Sequence, residues 1–259
     1  MRINSFTLPG TLSTDLVVLS PEESHHLARV LRVEAGQELT LFDGQGTRAE
    51  GVVDAVTKKE VTVRITARET VPPPAVEITL IQAVCKPDRF ELILQKATEL
   101  GIRRIQPVIT QNASLPAGKI EKMAERGEAI IRNAAQQCGT AWLPEFLPLE
   151  KFSAALPMIG KIDAVFIGSL HPNAKPFKEA FRHLSKAAGT AAIRTASVPL
   201  ALPSIKTAAL LIGPEGDFTT EEVNAAVAAG AIPVTFGKQI LRTETAAIFG
   251  LSVLAYELF

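Results

Sequence analysis

Two glycine-bearing loops near the C-terminus combine residue types that bind ligands with residue types that assist reactions. In the stretch AALLIGPEGDFTTEEV, an apolar strand ends at Gly213, and Gly216 allows close backbone approach. In VTFGKQILRTETAAIFGL, Arg242 and Glu244 follow Gly237 and precede an apolar helix. Charged side chains at the mouth of a buried element are unfavourable unless they are paired or used, so both loops are candidate parts of a functional site.

Each loop also has a purely structural interpretation. The GPEG loop is typical of a tight strand-to-helix turn, after which Thr219 and Glu222 form a capping box. The arginine and glutamate of the second loop could pair with each other and brace the start of the last helix. A third loop, Ser169–Pro172, follows the strand DAVFIG. Three loops at one sheet edge predict a pocket, whose ligand the local pattern leaves open.

The elements that carry these loops predict two parts of different texture. Residues 1–72 contain short strands and one helix, SPEESHHLARVLR, with Ser20 as N-cap, Pro21 at the first helical position and Glu23 completing a capping box. This part predicts a compact β-barrel. Residues 73–259 alternate strands with helices, which predicts an α/β domain around a mainly parallel sheet.

Composition and motifs exclude several classes of function. The 27 Lys and Arg residues balance the 27 Asp and Glu residues, so polyanion binding requires local patches. Cys85 and Cys138 form no CxxC pair, the four histidines lack metal-ligand spacing, and GxSxG, P-loop and GxGxxG motifs are absent. No apolar run reaches the ~18 residues of a membrane span. We therefore expect a cytoplasmic protein with no metal and no membrane association.

Five motifs, HHLARVLR, LFDGQG, LQKATELGIRRIQPV, LIGPEG and ILRTETA, resemble in this order the RsmE family of bacterial ribosomal RNA uridine N3-methyltransferases, a SPOUT-superfamily group. The match spans nearly the whole chain. The resemblance implies an α/β fold with a small PUA-like N-terminal β-barrel and a C-terminal SPOUT domain that contains a trefoil knot. It also implies a homodimer that binds S-adenosyl-L-methionine and acts on 16S ribosomal RNA or the small ribosomal subunit.

The resemblance also implies roles for particular residues. By this resemblance, the cofactor pocket of the protein is expected to comprise Leu170, His171, Ile212, Gly213, Pro214, Glu215, Gly216, Gly237, Ile240, Leu241 and Thr243. Arg242 is expected to stabilise the uridine anion, and Glu244 to orient Arg242 or pass the proton on. On the HHLARVLR helix, His26, Arg29 and Arg32 are spaced for one face and are expected to grip RNA phosphates.

The C-terminal helix, Ala246–Phe259, is apolar nearly all round, so it is buried either in the monomer core or against a second subunit. We expect the second arrangement, in an obligate dimer.

Several positions depart from the family pattern: Gln111, Asn112, Gln136, Thr140 and Asp217. Asp217 stands where a second glycine usually follows GPEG, and the other four replace charged residues, among them arginines that could contact substrate or a partner subunit. These losses favour, as an alternative, a non-catalytic RNA-binding or ribosome-assembly protein on the same fold. The zero net charge leaves open a small-molecule enzyme that uses the same pocket.

Overall fold

The computed structural model describes residues 3–57, 59–113, 116–187 and 205–259. The chain divides into two compact units. Unit 1 comprises Met1–Pro73 and Ile131–Leu143, and unit 2 comprises Pro74–Ile130 and Pro144–Phe259.

Unit 1 is built on one five-stranded sheet. Its strands are β1 (Asn4–Phe6), β2 (Leu16–Val18), β3 (Glu38–Phe42), β4 (Thr47–Val56) and β5 (Val61–Thr70), with a 3-10 turn at Thr11–Ser13. The strand order is β1-β3-β4-β5-β2, and the β4–β5 pairing has two register shifts. Val61, Val63 and Ile65 on β5 are buried, as their alternation with polar residues predicts.

The helix of unit 1 begins at the predicted residue but changes from α-helical to π-helical after His25. Helix α1 (Pro21–His25) starts after Ser20, whose Oγ accepts a hydrogen bond from the Glu23 amide at 3.2 Å. The predicted capping box is wrong in its second half. The buried Glu23 carboxylate accepts bonds from Ser5 Oγ at 2.7 Å and from Gln136 Nε2 at 2.7 Å, because a buried charge needs donors of its own.

A π-helical segment, His26–Leu31, follows α1. Its i→i+5 hydrogen bonding changes the side-chain spacing that a common face for His26, Arg29 and Arg32 assumes. Arg32 lies beyond the segment with a left-handed backbone, φ 53°. The three residues therefore do not lie on consecutive turns of one α-helix, although Arg29 and Arg32 are both exposed.

The sequence predicts that all residues beyond 72 belong to the second domain, whereas unit 1 also includes Ile131–Leu143. Trp142 explains part of this difference. Its Nε1 donates to the carbonyls of Val71 and Pro72 at 3.0 and 3.1 Å. A Cβ atom at Gly46, where φ is 96°, would overlap the Trp142 ring, so glycine permits both the turn and the close contact.

Unit 2 alternates strands and helices. Its strands are β6 (Glu77–Ala83), β7 (Arg104–Ile109), β8 (Glu145–Phe146), β9 (Glu150–Lys151), β10 (Ala164–Gly168), β11 (Lys175–Pro176), β12 (Thr207–Ile212) and β13 (Ile232–Thr235). Its helices are α2 (Pro87–Glu99), α3 (Ala117–Cys138), α4 (Phe152–Ile159), α5 (Phe177–Ala187), α6 (Thr220–Ala228) and α7 (Thr243–Leu258); the residues of α3 from Ile131 onward belong to unit 1.

The sheet of unit 2 brings the predicted loops to one edge. The order is β11-β13-β10-β12-β6-β7-β8, with β9 also paired to β7, and every pairing described is parallel. The predicted parallel α/β domain is thus confirmed. Since parallel strands share one carboxyl edge, the loops after β10, β12 and β13 meet there. Helix α7 packs against β12, where a Cβ at Gly250 would come within 2.6 Å of Leu210.

Asp163, the residue before β10, forms hydrogen bonds with the backbone at the start of β12. Its Oδ2 accepts bonds from the amides of Lys206 and Thr207, both at 2.9 Å. The Lys206 bond, foremost, holds the pKa of the Asp163 carboxyl below its usual value. A carboxylate whose pKa is lowered by folding stabilises the protein above its unfolded pKa, and this contribution disappears as the pH falls through the folded pKa.

We expect Asp163→Asn to lower the unfolding midpoint most near pH 7, with a difference from wild type that shrinks below about pH 4. Urea unfolding from pH 2.5 to 7 measures this difference. Glu128→Gln, which removes an exposed carboxylate on α3, is the control. A difference that is the same at every pH would contradict the ionic origin of the effect.

Candidate active site

A cavity of about 280 Å³ lies at the carboxyl edge of the unit 2 sheet. Nine of the residues predicted for the site line it: Leu170, Ile212, Gly213, Pro214, Glu215, Ile240, Leu241, Arg242 and Thr243. The other described lining residues are Arg89, Gly168, Ser169, Asp217, Thr235, Phe236, Gln239 and Ala246. The three predicted loops therefore do enclose one pocket, which combines apolar side chains with several charged groups.

Four predicted residues lie outside the set that lines this cavity: His171, Gly216, Gly237 and Glu244. His171 Nδ1 accepts a bond from the Asn173 amide at 3.3 Å. A Cβ at Gly216 would stand 3.1 Å from Asn112 Cβ, so the close backbone approach at this glycine is to Asn112. A larger residue at position 216 would therefore disturb the packing of the loop against Asn112, and its effect on ligand binding would be indirect.

Thr243 links the two glycine-bearing loops. Its buried Oγ1 donates to the Gly213 carbonyl at 2.7 Å and accepts from Gln82 Nε2, at the end of β6, at 3.3 Å. Thr243 is the first residue of α7, so this contact ties the start of the last helix to the end of β12. Two backbone segments that are far apart in sequence thus share one hydroxyl group.

Thr243→Val keeps the shape of the side chain and removes the hydroxyl. We expect a loss of about 1–3 kcal/mol in the free energy of unfolding, because the Gly213 carbonyl and the Gln82 amide lose a buried partner. Urea unfolding measures this loss. Thr245→Val changes an exposed threonine in the same helical turn and should leave stability within about 0.5 kcal/mol. Equal stability of the two variants would mean that Thr243 does not hold the loops together.

Arg89, which the sequence analysis missed, connects both loops through charge. Its Nη1 lies 3.1 Å from Glu215 Oε1 and its Nε lies 3.8 Å from Glu244 Oε2. The Lys86 amide also donates to Glu215, at 3.2 Å. Burial, reinforced by the negative charges of Glu215 and Glu244, strongly raises the pKa of the adjacent Cys85 thiol, so this cysteine stays protonated.

Arg242 has a different environment. It is the exposed N-cap residue of α7 and lines the cavity, and none of the ion pairs among the described residues involves it. The expectation that Glu244 pairs with Arg242 or orients it is wrong, because the Glu244 carboxylate is directed to Arg89 instead. Among the described residues, the buried Glu244 Oε2 nevertheless has no hydrogen-bond partner.

Two departures from the family pattern meet at the GPEG loop. Asn112 Nδ2 donates to the carbonyls of Gly216 and Asp217, both at 3.0 Å. Asp217 has a left-handed backbone, φ 57°, and its side chain accepts bonds from the amides of Phe218 at 2.8 Å and Leu170 at 3.3 Å. The Asp217 carboxylate thus joins the loop after β12 to the loop after β10.

Helix α6 follows the GPEG loop and begins with a hydrogen-bonded cap. The predicted capping box of Thr219 and Glu222 is confirmed, with both reciprocal hydrogen bonds present. Glu222 also accepts a bond from the Gln111 amide at 2.9 Å. The GPEG loop is therefore held at both ends, by strand β12 before it and by the capping box of helix α6 after it.

Two kinds of feature are absent from the described residues. No group of three or more His, Cys, Asp or Glu side chains is arranged to hold a metal ion. In the same part of the chain, no helix combines the length and apolarity that crossing a membrane requires.

Comparison with known proteins identifies the family. Residues 72–255 match the model of an RNA methyltransferase domain, and residues 19–66 match that of an RNA methyltransferase PUA domain. Ribosomal RNA small subunit methyltransferase E of Mycobacterium bovis is 29% identical over 95% of this chain and 87% of its own length. The enzyme of that name from Mesomycoplasma hyopneumoniae is 31% identical over 69% of each chain.

A solved structure agrees with these relatives. The Neisseria gonorrhoeae ribosomal RNA small subunit methyltransferase E, determined with bound S-adenosyl methionine, aligns with a TM-score of 0.81 and 28% identity over 98% of this chain and 97% of that one. The matches cover both the strand-rich and the α/β parts of the chain. The protein therefore belongs to the ribosomal RNA small subunit methyltransferase E family of RNA methyltransferases.

Proposed function

We propose that this protein uses S-adenosyl-L-methionine to methylate 16S ribosomal RNA in the small ribosomal subunit, at N3 of a uridine. The observation that carries the proposal is the cavity of three loops, into which Arg242 brings a cation that lacks an acidic partner among the described residues. Family membership and the names of the relatives give the substrate class.

The cavity suits this cofactor. Ile212, Ile240 and Leu241 give it apolar walls for an adenine ring, and the loop that begins at Gly213 brings backbone polar groups to its edge. When bound, S-adenosyl-L-methionine supplies an activated methyl group. We infer that the same three loops hold it, with Leu170 and Thr243 completing the enclosure.

The acceptor needs a different kind of help. Uridine N3 lies between two carbonyl groups and becomes nucleophilic when its proton leaves, which places negative charge on the ring nitrogen and both carbonyl oxygens. A guanidinium group beside those oxygens stabilises that charge. We assign this role to Arg242. Glu244 faces Arg89 and lies outside the lining of the cavity, which favours Arg89 and not Arg242 as the group that Glu244 positions.

Further parts of the proposal concern assembly and RNA binding. We propose that unit 1, Met1–Pro73 with the segment Ile131–Leu143, contacts RNA phosphates through His26, Arg29 and Arg32. A homodimer formed through α7 is proposed from the exposed aromatic residues of that helix. The trefoil knot is proposed from family membership. A ribosomal substrate implies a cytoplasmic location.

The proposal is tested with small ribosomal subunits from a bacterial strain that lacks this modification. We expect the protein and methyl-labelled S-adenosyl-L-methionine to add about one methyl group per subunit, and mass spectrometry of the RNA to locate it on uridine N3. Large subunits serve as the control. Binding of the cofactor and of the subunit without turnover would instead identify a non-catalytic RNA-binding protein.

A further inference from the structure

The charged groups of the cavity differ in how they are paired. Glu215 lies against Arg89, so these two charges offset each other. Asp217 also lines the cavity, but none of the ion pairs among the described residues includes it. Its described partners are the neutral amides of Phe218 and Leu170. One wall of the cavity therefore carries an uncompensated negative charge, and Arg242, on another loop, carries an uncompensated positive charge.

The conformation of Asp217 keeps this carboxylate in place. A left-handed backbone is unfavourable for residues other than glycine, although aspartate tolerates it better than most. Asn112 holds the carbonyls of Gly216 and Asp217 from outside the cavity. Each Asp217 oxygen accepts one amide bond, and a carboxylate offers about four lone-pair positions, so acceptor capacity remains for a ligand.

We propose that Asp217 is a specificity residue of this cavity, whose carboxylate favours the positively charged methyl donor over the product that remains after transfer. This inference rests on the proposed function. S-adenosyl-L-methionine carries a sulfonium cation, whereas S-adenosyl-L-homocysteine has a neutral thioether at the same position. A nearby carboxylate attracts the first through its charge and lacks that attraction for the second.

The two uncompensated charges also give the cavity a polarity. The Asp217 wall suits a cationic donor, and the Arg242 loop suits an anionic acceptor. Such a pair of walls favours donor and acceptor in one relative orientation. Loss of the sulfonium charge on transfer weakens the hold of Asp217 on the product, which favours its release.

Calorimetry with S-adenosyl-L-methionine and S-adenosyl-L-homocysteine tests the inference without an activity measurement. We expect Asp217→Asn to weaken binding of the charged ligand about five- to tenfold and that of the neutral ligand less than twofold. Asparagine also tolerates the left-handed backbone and can accept one of the two amide bonds. Glu221→Gln removes an exposed charge from the first turn of α6 and should change neither affinity.

Asp217→Gly provides a second variant, because glycine adopts the positive φ without strain and removes the charge completely. It should show the same selective loss even if the asparagine variant folds poorly. Equal weakening of both ligands would overturn the inference and leave Asp217 as a link between loops. A wild-type protein that binds neither ligand would overturn the proposed cofactor itself, an outcome distinct from failure of the Asp217 inference.

Discussion

Replacement of Arg242 by alanine is expected to lower the single-turnover rate of methyl transfer to small ribosomal subunits by about 100-fold or more. Affinity for S-adenosyl-L-methionine should change by less than about twofold, since the loss falls on the transition state. The thermal midpoint should also remain close to that of the wild type, because Arg242 is exposed and Glu244 takes its ionic contact from Arg89.

Two further variants separate the effect of charge from that of geometry. Arg242→Lys keeps the charge but lacks the planar pair of donors that matches a uracil edge, so most of the rate should remain lost. Lys238→Ala removes an exposed cation from the same loop and should leave the rate near the wild-type value. Near-normal turnover in a stable Arg242→Ala protein would exclude this residue from the mechanism and move attention to Arg89 and Glu244.

The predictable parts of the fold are those whose signals are local. Alternating apolar residues on β5, the capping box at Thr219 and the glycine that ends α2 all act within a few residues. The structure bears out each of them. Gly101, for example, has a φ of 75° directly after the C-cap residue Leu100, as a helix-ending glycine should.

The parts that sequence reasoning missed depend on partners distant along the chain. Arg89 lies 126 residues before Glu215, so no local pattern relates the two. The Glu23 carboxylate satisfies its hydrogen bonds with Ser5 and Gln136, and the local capping motif could not compete with these buried donors. The same reason applies to the expected contact between Arg242 and Glu244, which are two residues apart in the sequence. Arg242 and Glu244 are close in sequence, but in the folded chain the Glu244 carboxylate lies next to Arg89.

Tyr256→Glu is expected to convert a dimer into a monomer at micromolar concentration. One side of α7 is buried within unit 2 through Ala247, Leu251 and Leu254. The other side exposes 44% of Phe249 and 81% of Tyr256, which lie seven residues apart and so share one face. A large exposed aromatic face of this kind is typical of a surface that binds another protein.

A glutamate at position 256 would place an unpaired charge in that interface, and we expect the dissociation constant to rise by about 100-fold or more, equivalent to about 2.7 kcal/mol. Sedimentation velocity at roughly 1 to 50 µM measures the change. Val227→Glu, which alters an exposed apolar residue on α6, should leave the dimer intact. Because Tyr256 is exposed in the monomer, circular dichroism should show the same fold in both variants. A wild-type chain that sediments as a monomer throughout this range would refute the proposed dimer. A dimer that persists in both Tyr256→Glu and Phe249→Glu would mean that its interface lies on a different surface.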